Sequence, residues 1–420
     1  MSKLKIGVFG ANRGMTMVNV IVDHPYATLV AVCDKFVPAL EQCKKMTEKK
    51  GMKVEYFTDF DSFIECDMDA VVLANYANEH APFAIRLLES GRHVMSEVLP
   101  VQNMAEAVAL IEAVEKTGKI YAYAENYCFF TTTFEMKRRY EMGDIGEVTY
   151  AEGEYVHDCS SIWPQITYGQ RDHWRNNMTS TFYCTHGIGP MLYITGQRPI
   201  NVVGMELPNT ERERNLGRLA GDASVMIMQL DNGGMIRHLT GHLRREPGSI
   251  NYQIYGSKGS METDRWDGSL LHIYREGENY CHGENKAYKP EMFDQSELAC
   301  ITAGHGGSDF YTTNYFIGKI LGDEISTKYS IDVYSAIDMG IPGILGYRSI
   351  YNDNIPIKIP NLRNKEEREQ YRFDVECSDL KVAGKQYVAP HSSGLAIIPD
   401  KTYDFVKDLW EKGLPGKPKK

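Results

Sequence analysis

Through its first 123 residues the chain alternates short apolar runs with segments of helical period. Leu4-Lys5-Ile6-Gly7-Val8-Phe9 is a strand-length run that enters Gly10-Ala11-Asn12-Arg13-Gly14. A helix-length stretch through Val20-Ile21-Val22 follows, then a second apolar run from Thr28 to Cys33. Ala70-Val71-Val72-Leu73 reads as a buried strand and His93-Val94-Met95 as another, with an amphipathic helix between them that ends near Ser90-Gly91. The spacing predicts a further helix over Met104 to Thr117 and a strand over Ile120 to Ala124. Strand, glycine turn, helix and strand in repetition predict an α/β fold whose N-terminal part, residues 1–123, is a Rossmann-type dinucleotide-binding domain.

From residue 124 the period changes. A helix predicted over about Thr133 to Met142 precedes β-rich runs at Val148 to His157, Ile200 to Leu207, Ala223 to Leu230, Gly234 to Thr240, Asn251 to Tyr255, Met261 to Asp264 and Leu270 to Tyr274. Gly, Asn and Asp punctuate them, and Asp231-Asn232-Gly233-Gly234 is a hairpin signal. Residues 124–420 are therefore expected to form an α+β domain on a large, open, mostly antiparallel sheet. The charged stretch Pro208 to Leu219 and the polar stretch Asn361 to Gln370 read as surface loops, and a last helix is expected around Thr402 to Trp410.

Charge and cysteine usage narrow the functional classes. The net charge is −10 and the pI is near 5.7, with no basic cluster beyond the Lys417 to Lys420 tail, which argues against a nucleic-acid partner. No apolar run approaches the ~20 residues that a membrane helix needs, and a first strand starting by Leu4 leaves no room for a signal peptide. Nine cysteines are scattered without a CxxC pair or a Cys/His cluster at zinc spacing. A cytoplasmic chain without a bound metal is expected.

The glycine turn is where chemistry first shows. Gly10 and Gly14 would let the backbone approach a pyrophosphate at a helix N-terminus, whose unpaired N–H groups and dipole favour an anion. Asn12 stands where a second glycine is usual, so the turn alone is a weak signal, and Gly10 and Gly14 read blandly are only a turn. Asp34 ends the second apolar run, where a carboxylate can accept hydrogen bonds from ribose hydroxyls. It favours NAD over NADP, against the counter-signal of Lys35.

Gly91-Arg92-His93-Val94-Met95-Ser96-Glu97-Val98-Leu99-Pro100 resembles the Gly-Lys-His-Val-x-x-Glu-Lys-Pro signature of the Gfo/Idh/MocA oxidoreductases, with the catalytic lysine missing. Further motifs fall in order: Glu125-Asn126-Tyr127-Cys128, Glu154-Tyr155-Val156-His157-Asp158, His173-Trp174-Arg175, Tyr183-Cys184-Thr185-His186-Gly187-Ile188-Gly189-Pro190 and Gly304-His305-Gly306-Gly307-Ser308-Asp309. Together these look like glycoside hydrolase family 109, the NAD-dependent glycosidases, from the first strand to about Tyr347. The resemblance implies that Asn12 and Arg13 of the turn, Asn75, Asn78 and His80 after the Ala70 to Leu73 strand, Glu97, Asn126 and Trp174 contact NAD. It further implies a glycoside substrate and, as is common in the superfamily, assembly of like subunits through the second-domain sheet. The family's Glu-Val-Pro is interrupted here by Leu99, its His-Asp-Leu-Arg is His157-Asp158-Cys159-Ser160, and its Asn-Gly-Asn-Leu-Tyr-Pro-Thr-His is Thr179 to His186. These are substrate-facing positions in the family, so they bear on which sugar is taken.

The chemistry implied is oxidation of a glycoside at C3, deprotonation at C2, elimination of the C1 substituent, addition of water and re-reduction. His186 is the candidate at the C3 oxygen, with Phe182 in the place of the aspartate of ordinary members. Tyr155 and His157, two apart on a strand, share a face, and Tyr155 is the expected C2 base. Arg175 is a candidate for lowering the Tyr155 pKa, and Tyr183 should lie on the His186 side. The plain alternatives are a solvent-facing pair for Tyr155 and His157, a backbone-bonded helix histidine for His186, an indole-packed stem for Arg175, a mere turn at His305 and inert thiols at Cys128 and Cys184. Two other functions stay open: a net sugar or inositol dehydrogenase, or a lyase, on the same residues, and a cofactor-binding protein without catalysis.

Overall fold

The structure is a computed structural model that describes residues 3–292, 299 and 305–413. The N-terminal part runs β1 (Leu4–Phe9), α1 (Met15–Asp23), β2 (Ala27–Cys33), α2 (Val37–Lys49), β3 (Glu55–Phe57), α3 (Phe60–Ile64), β4 (Ala70–Leu73), α4 (His80–Glu89), β5 (His93–Ser96), α5 (Met104–Thr117) and β6 (Tyr121–Tyr123). All strand pairs are parallel, in the order β3-β2-β1-β4-β5-β6. The order reverses between β1 and β4, and ligands of such sheets lie beyond the carboxyl ends of the strands there. Gly10, Asp34, Asn75 and Glu97 follow the ends of β1, β2, β4 and β5. Ile6, Val8, Leu29, Val32, Val72 and Met95 pack with Met17, Val18 and Ile21 of α1 into the core. Local chemistry starts α5 where the sequence predicts: the Asn103 side chain accepts from the Glu106 N–H at 2.9 Å, and Glu106 accepts from the Gln102 N–H at 2.8 Å.

After α6 (Thr131–Glu141) comes the second sheet, built from β7 (Val148–Val156), β8 (Pro199–Glu206), β9 (Ala223–Leu230), β10 (Met235–Gly241), β11 (Ser249–Gly256), β12 (Gly259–Thr263), β13 (Leu271–Arg275), β14 (Glu284–Tyr288) and β15 (Ile357–Lys358). The order is β14-β13-β12-β11-β7-β10-β9-β8-β15. Only β7 and β10 pair in parallel, because the segment between β7 and β8 carries three helices, α7 (Trp163–Thr167), α8 (Trp174–Asn177) and α9 (Thr185–Thr195). The Asp231 to Gly234 turn joins β9 to β10 as the sequence indicates.

α9 lies against one face of this sheet at close range. A Cβ on Gly153 of β7 would stand 2.0 Å from the Gly187 carbonyl oxygen of α9, and one on Gly187 would stand 2.3 Å from the ring of His238 on β10. Only two glycines permit that approach. The opposite face of the sheet leaves Met205, Ile227, Met235 and Tyr255 exposed.

Two predicted surface loops are corrected. Within Pro208 to Leu219, α10 (Glu211–Arg214) buries Glu213 against Arg218 at 2.9 Å, with His242 at 3.3 Å from the same carboxylate. Within Asn361 to Gln370, a helix over Lys365–Glu369 leads to buried Arg368, which donates to the Leu362 carbonyl at 2.5 Å. Charge in a sequence marks a surface only when the charge has no buried partner.

The domain boundary also differs from the expected 123/124. The chain divides into Met1–Glu135 with Pro290–Asp338, and Met136–Lys289 with Met339–Lys420. The returning segment carries α11 (Ser308–Ile320), whose Phe316 and Ile317 complete the apolar core over α1. Long-range apolar contact, invisible to a local period, sets the division. No helix among the described residues is long and apolar enough to cross a membrane.

Candidate active site

In the first unit the glycine turn is held by steric necessity. Gly10 has φ +104, and a Cβ there would meet the Ala74 backbone at 2.3 Å. The turn runs into α1, which has no acidic side chain in its first turn. Asp34 braces it: one carboxylate oxygen accepts from the Ala11 N–H at 2.7 Å and the other from the Phe36 N–H at 2.8 Å. A carboxylate has further lone pairs for ribose hydroxyls. The Lys35 ammonium sits 3.9 Å from the centre of the Tyr76 ring, which gives that cation a partner of its own.

Beyond β4, both polar atoms of the Asn75 amide and the Asn78 carbonyl oxygen are buried without a hydrogen-bond partner. Buried amides in that state are costly unless a ligand satisfies them. Pinched turn, helix N-terminus, braced Asp34 and unsatisfied amides together suit a dinucleotide. His80 has a different task. Its Nδ1 is 2.9 Å from the Leu99 carbonyl and its Nε2 3.3 Å from the Asn75 carbonyl. Burial lowers its pKa to about 4, so the ring is neutral and its single N–H donates to one of these two carbonyls.

Arg13 and Glu97 meet directly at 2.5 Å. Asp309, on the first turn of α11, is fully buried and accepts from Arg13 through both oxygens, at 2.9 and 3.0 Å. It also accepts from Asn126 at 2.9 Å and meets His305 Nδ1 at 3.0 Å. Burial alone would raise the Asp309 pKa, but the hydrogen bonds from His305 and Arg13 and the Arg13 charge hold it well below the usual carboxylate range.

In the second unit the aromatic candidates come together. Tyr155 is the penultimate residue of β7, and its hydroxyl lies 3.2 Å from His157 Nδ1. His186 stands in the first turn of α9, its ring centre 4.9 Å from Tyr155 and 5.2 Å from Tyr183. Tyr252 on β11 donates to the His186 carbonyl at 2.5 Å. Burial pushes the His157 pKa below its ordinary value, opposed by the nearby carboxylates of Asp158 and Glu246. The neutral imidazole can accept from the Tyr155 hydroxyl.

Arg175 lies 4.4 Å from the Trp174 ring and 5.6 Å from the Tyr183 ring. The group that meets the Tyr155 hydroxyl is His157, not Arg175. Trp174, expected at the cofactor, belongs to this second unit and carries Arg175 on its face. Cys184 is buried, its thiol turned to the Met339 carbonyl at 3.6 Å, and Cys128 is buried too, so both follow the inert alternative. Asp309 stands in the Gly304 to Asp309 motif, but sequence reasoning assigned it no role at the site. Its signal was a lone charge in the otherwise uncharged run Ser308 to Ile317, directly after a glycine pair.

The strand order and the glycine turn define the first unit as an NAD-binding domain of oxidoreductase type. A model of the oxidoreductase family with an NAD-binding Rossmann fold matches residues 4–125, and a model of the glycosyl hydrolase 109 C-terminal domain matches residues 132–367. The second match spans more than half of the chain, which belongs to glycoside hydrolase family 109. A glycosyl hydrolase family 109 protein from Phocaeicola vulgatus is 26% identical over 399 residues, covering 85% of this chain and 83% of its own. Among solved structures, an oxidoreductase domain protein from Kribbella flavida shares the fold at a TM-score of 0.69 and 18% identity, covering 86% of this chain and all of its own. The scyllo-inositol dehydrogenase of Lactobacillus casei, solved with NAD(H) and scyllo-inositol, does so at 0.67 and 16%, again over 86% of this chain and 100% of its own. The chain is thus an NAD-dependent enzyme of the Gfo/Idh/MocA type.

Proposed function

We propose that the enzyme cleaves a glycosidic bond by transient oxidation at C3 and elimination at C1. The observation that carries this reading is the cluster of Tyr155, His157, Tyr183 and His186, which offers proton-transfer groups rather than a pair of carboxylates. Two acids lie near His157, Asp158 and Glu246, and Asp158 is engaged by Arg212 at 2.8 Å. Direct displacement at C1 uses two carboxylates flanking the bond.

Gly10, Arg13, Gly14, Asp34, Asn75, Asn78, Glu97 and Asn126 would hold NAD. When bound there, the cofactor would supply hydride-acceptor chemistry in its oxidised form and hydride-donor chemistry in its reduced form. His186 takes the proton of the C3 hydroxyl and later returns it. The C3 ketone acidifies the C2 hydrogen, and Tyr155, having passed its phenolic proton to neutral His157, removes it. The electron pair left at C2 expels the C1 substituent, which leaves with the proton held by His157; water then adds at C1 and gives its surplus proton to His157, Tyr155 restores a proton to C2, and His157 returns its proton to the Tyr155 oxygen. Arg175, over the Tyr183 ring, keeps a positive charge at the edge of the cluster and favours the anionic states.

Turnover of aryl glycosides in D₂O tests the reading. Deuterium at C2 of the product, with NAD⁺ required but not consumed, is expected. A retained C2 hydrogen overturns it, and NADH accumulating with substrate would make the enzyme a dehydrogenase instead. Assembly of like subunits through the sheet face bearing Met205, Ile227, Met235 and Tyr255 is part of the same proposal, supported by their exposure on one face.

A further inference from the structure

We propose that Asp309 is the positioning residue of the cofactor site, acting through Arg13 and Asn126. The inference rests on the NAD assignment alone and is independent of the reaction at the sugar. An arginine in a glycine turn has many rotamers, and without a partner its guanidinium would sweep solvent. Here the planar group is gripped through both terminal nitrogens by one fully buried carboxylate and capped by Glu97. A two-point grip of this kind fixes direction as well as distance.

Asp309 also takes the Asn126 amide at 2.9 Å, so one carboxylate aligns a residue after β1 and a residue after β6. His305 closes the fourth contact from a half-exposed position. Stability alone does not call for this arrangement, since a buried ion pair is commonly replaceable by apolar side chains without loss. What it provides is a fixed orientation for two groups at the carboxyl end of the sheet, where the dinucleotide is expected. Asp309 itself is wholly enclosed, touches solvent nowhere, and therefore acts through its partners.

The test is calorimetric binding to the full chain freed of nucleotide, with NAD⁺ and with AMP as the probe that lacks the pyrophosphate bridge and the nicotinamide half. Asp309→Asn keeps the shape and removes the charge. It should weaken NAD⁺ about tenfold, as expected for loss of a charge-assisted pair, while AMP, held through Asp34, changes less than about twofold. Arg13→Gln should show the same split, and the double variant should lose little more than the worse single one. If Asp309→Asn does not fold, His305→Ala and Arg13→Gln carry the test at partly exposed positions, with a split of about threefold or more expected for each. Wild-type affinity for NAD⁺ in the folded variants, equal losses for NAD⁺ and AMP, or losses that multiply in the double variant would each overturn the proposal. A wild-type chain that binds NAD⁺ but leaves the C2 hydrogen of its substrate in place would sink only the glycosidase reading.

Discussion

The two candidate clusters are held in opposite ways. In the first unit, Arg13, Glu97, Asn126, His305 and Asp309 form a network of charges in which each member fixes the next. In the second, Tyr155, His157, Tyr183 and His186 meet through ring contacts and a hydroxyl–imidazole bond, above a backbone packed closely at Gly153 and Gly187. An ionic network suits a group that must stay put while a cofactor is bound. A cluster that moves protons must change charge during turnover, and rigid ion pairs would lock it in one protonation state.

The largest effects should separate the two clusters cleanly. Tyr155→Phe and His186→Ala are expected to lower glycoside turnover about 10² to 10⁴-fold, as for loss of an acid/base group, with NAD⁺ affinity unchanged by calorimetry. A matching loss of NAD⁺ binding would break the division of labour. Next, Gly187→Ala inserts a methyl 2.3 Å from the His238 ring and should cost about 2–3 kcal/mol in denaturant unfolding, as overpacking does. An unchanged midpoint would show that the packed glycines are not what holds the second cluster. In the first unit, Asp34→Ala should weaken NAD⁺ by about 1–3 kcal/mol and also lower the unfolding midpoint of the cofactor-free chain, because the Ala11 and Phe36 N–H groups lose their acceptor.

The acid response sharpens the comparison further. His80 in the first unit and His238 in the second both have pKa values lowered to about 4 by burial. Between their ordinary value and that lowered one, the unfolded chain binds protons that the folded chain refuses, so stability falls as the pH drops. From pH 7 to 5 each should cost about 2 kcal/mol, and His80→Gln should remove its own share of the slope in denaturant titrations. A wild-type slope in that variant would contradict the neutral buried ring. The smallest effect concerns cofactor choice: Tyr76→Leu frees Lys35 from its ring and should raise NADP affinity severalfold at most, by the modest strength of an exposed cation–π contact. No change in the NADP to NAD ratio would mean that Lys35 points elsewhere when NADP is offered.

Much of this was legible in the chain because it is local. The start of α5 follows from Asn103 and Glu106 and its end from Gly118, and Tyr155 and His157 share a face because strands have period two. β14 escaped notice because Glu284-Asn285-Lys286 has no apolar alternation to betray an exposed edge strand. The burial of Glu213 and Arg368, the meeting of His157 rather than Arg175 with the Tyr155 hydroxyl, and the whole role of Asp309 depend on partners distant in sequence or on side-chain direction. None of these is encoded in a spacing.

The return of Pro290–Asp338 to the first unit has a consequence for how the chain is made. All six strands of the nucleotide sheet leave the ribosome early, but the helix that closes them, with Phe316, Ile317 and Asp309, is synthesised only after residues 136–289. During that interval α1 has lost its apolar cover and Arg13 its principal anion. A fragment ending near residue 289 would therefore contain every glycine of the nucleotide turn and still emerge as a nascent domain waiting for its last piece, exposed to aggregation as such intermediates are.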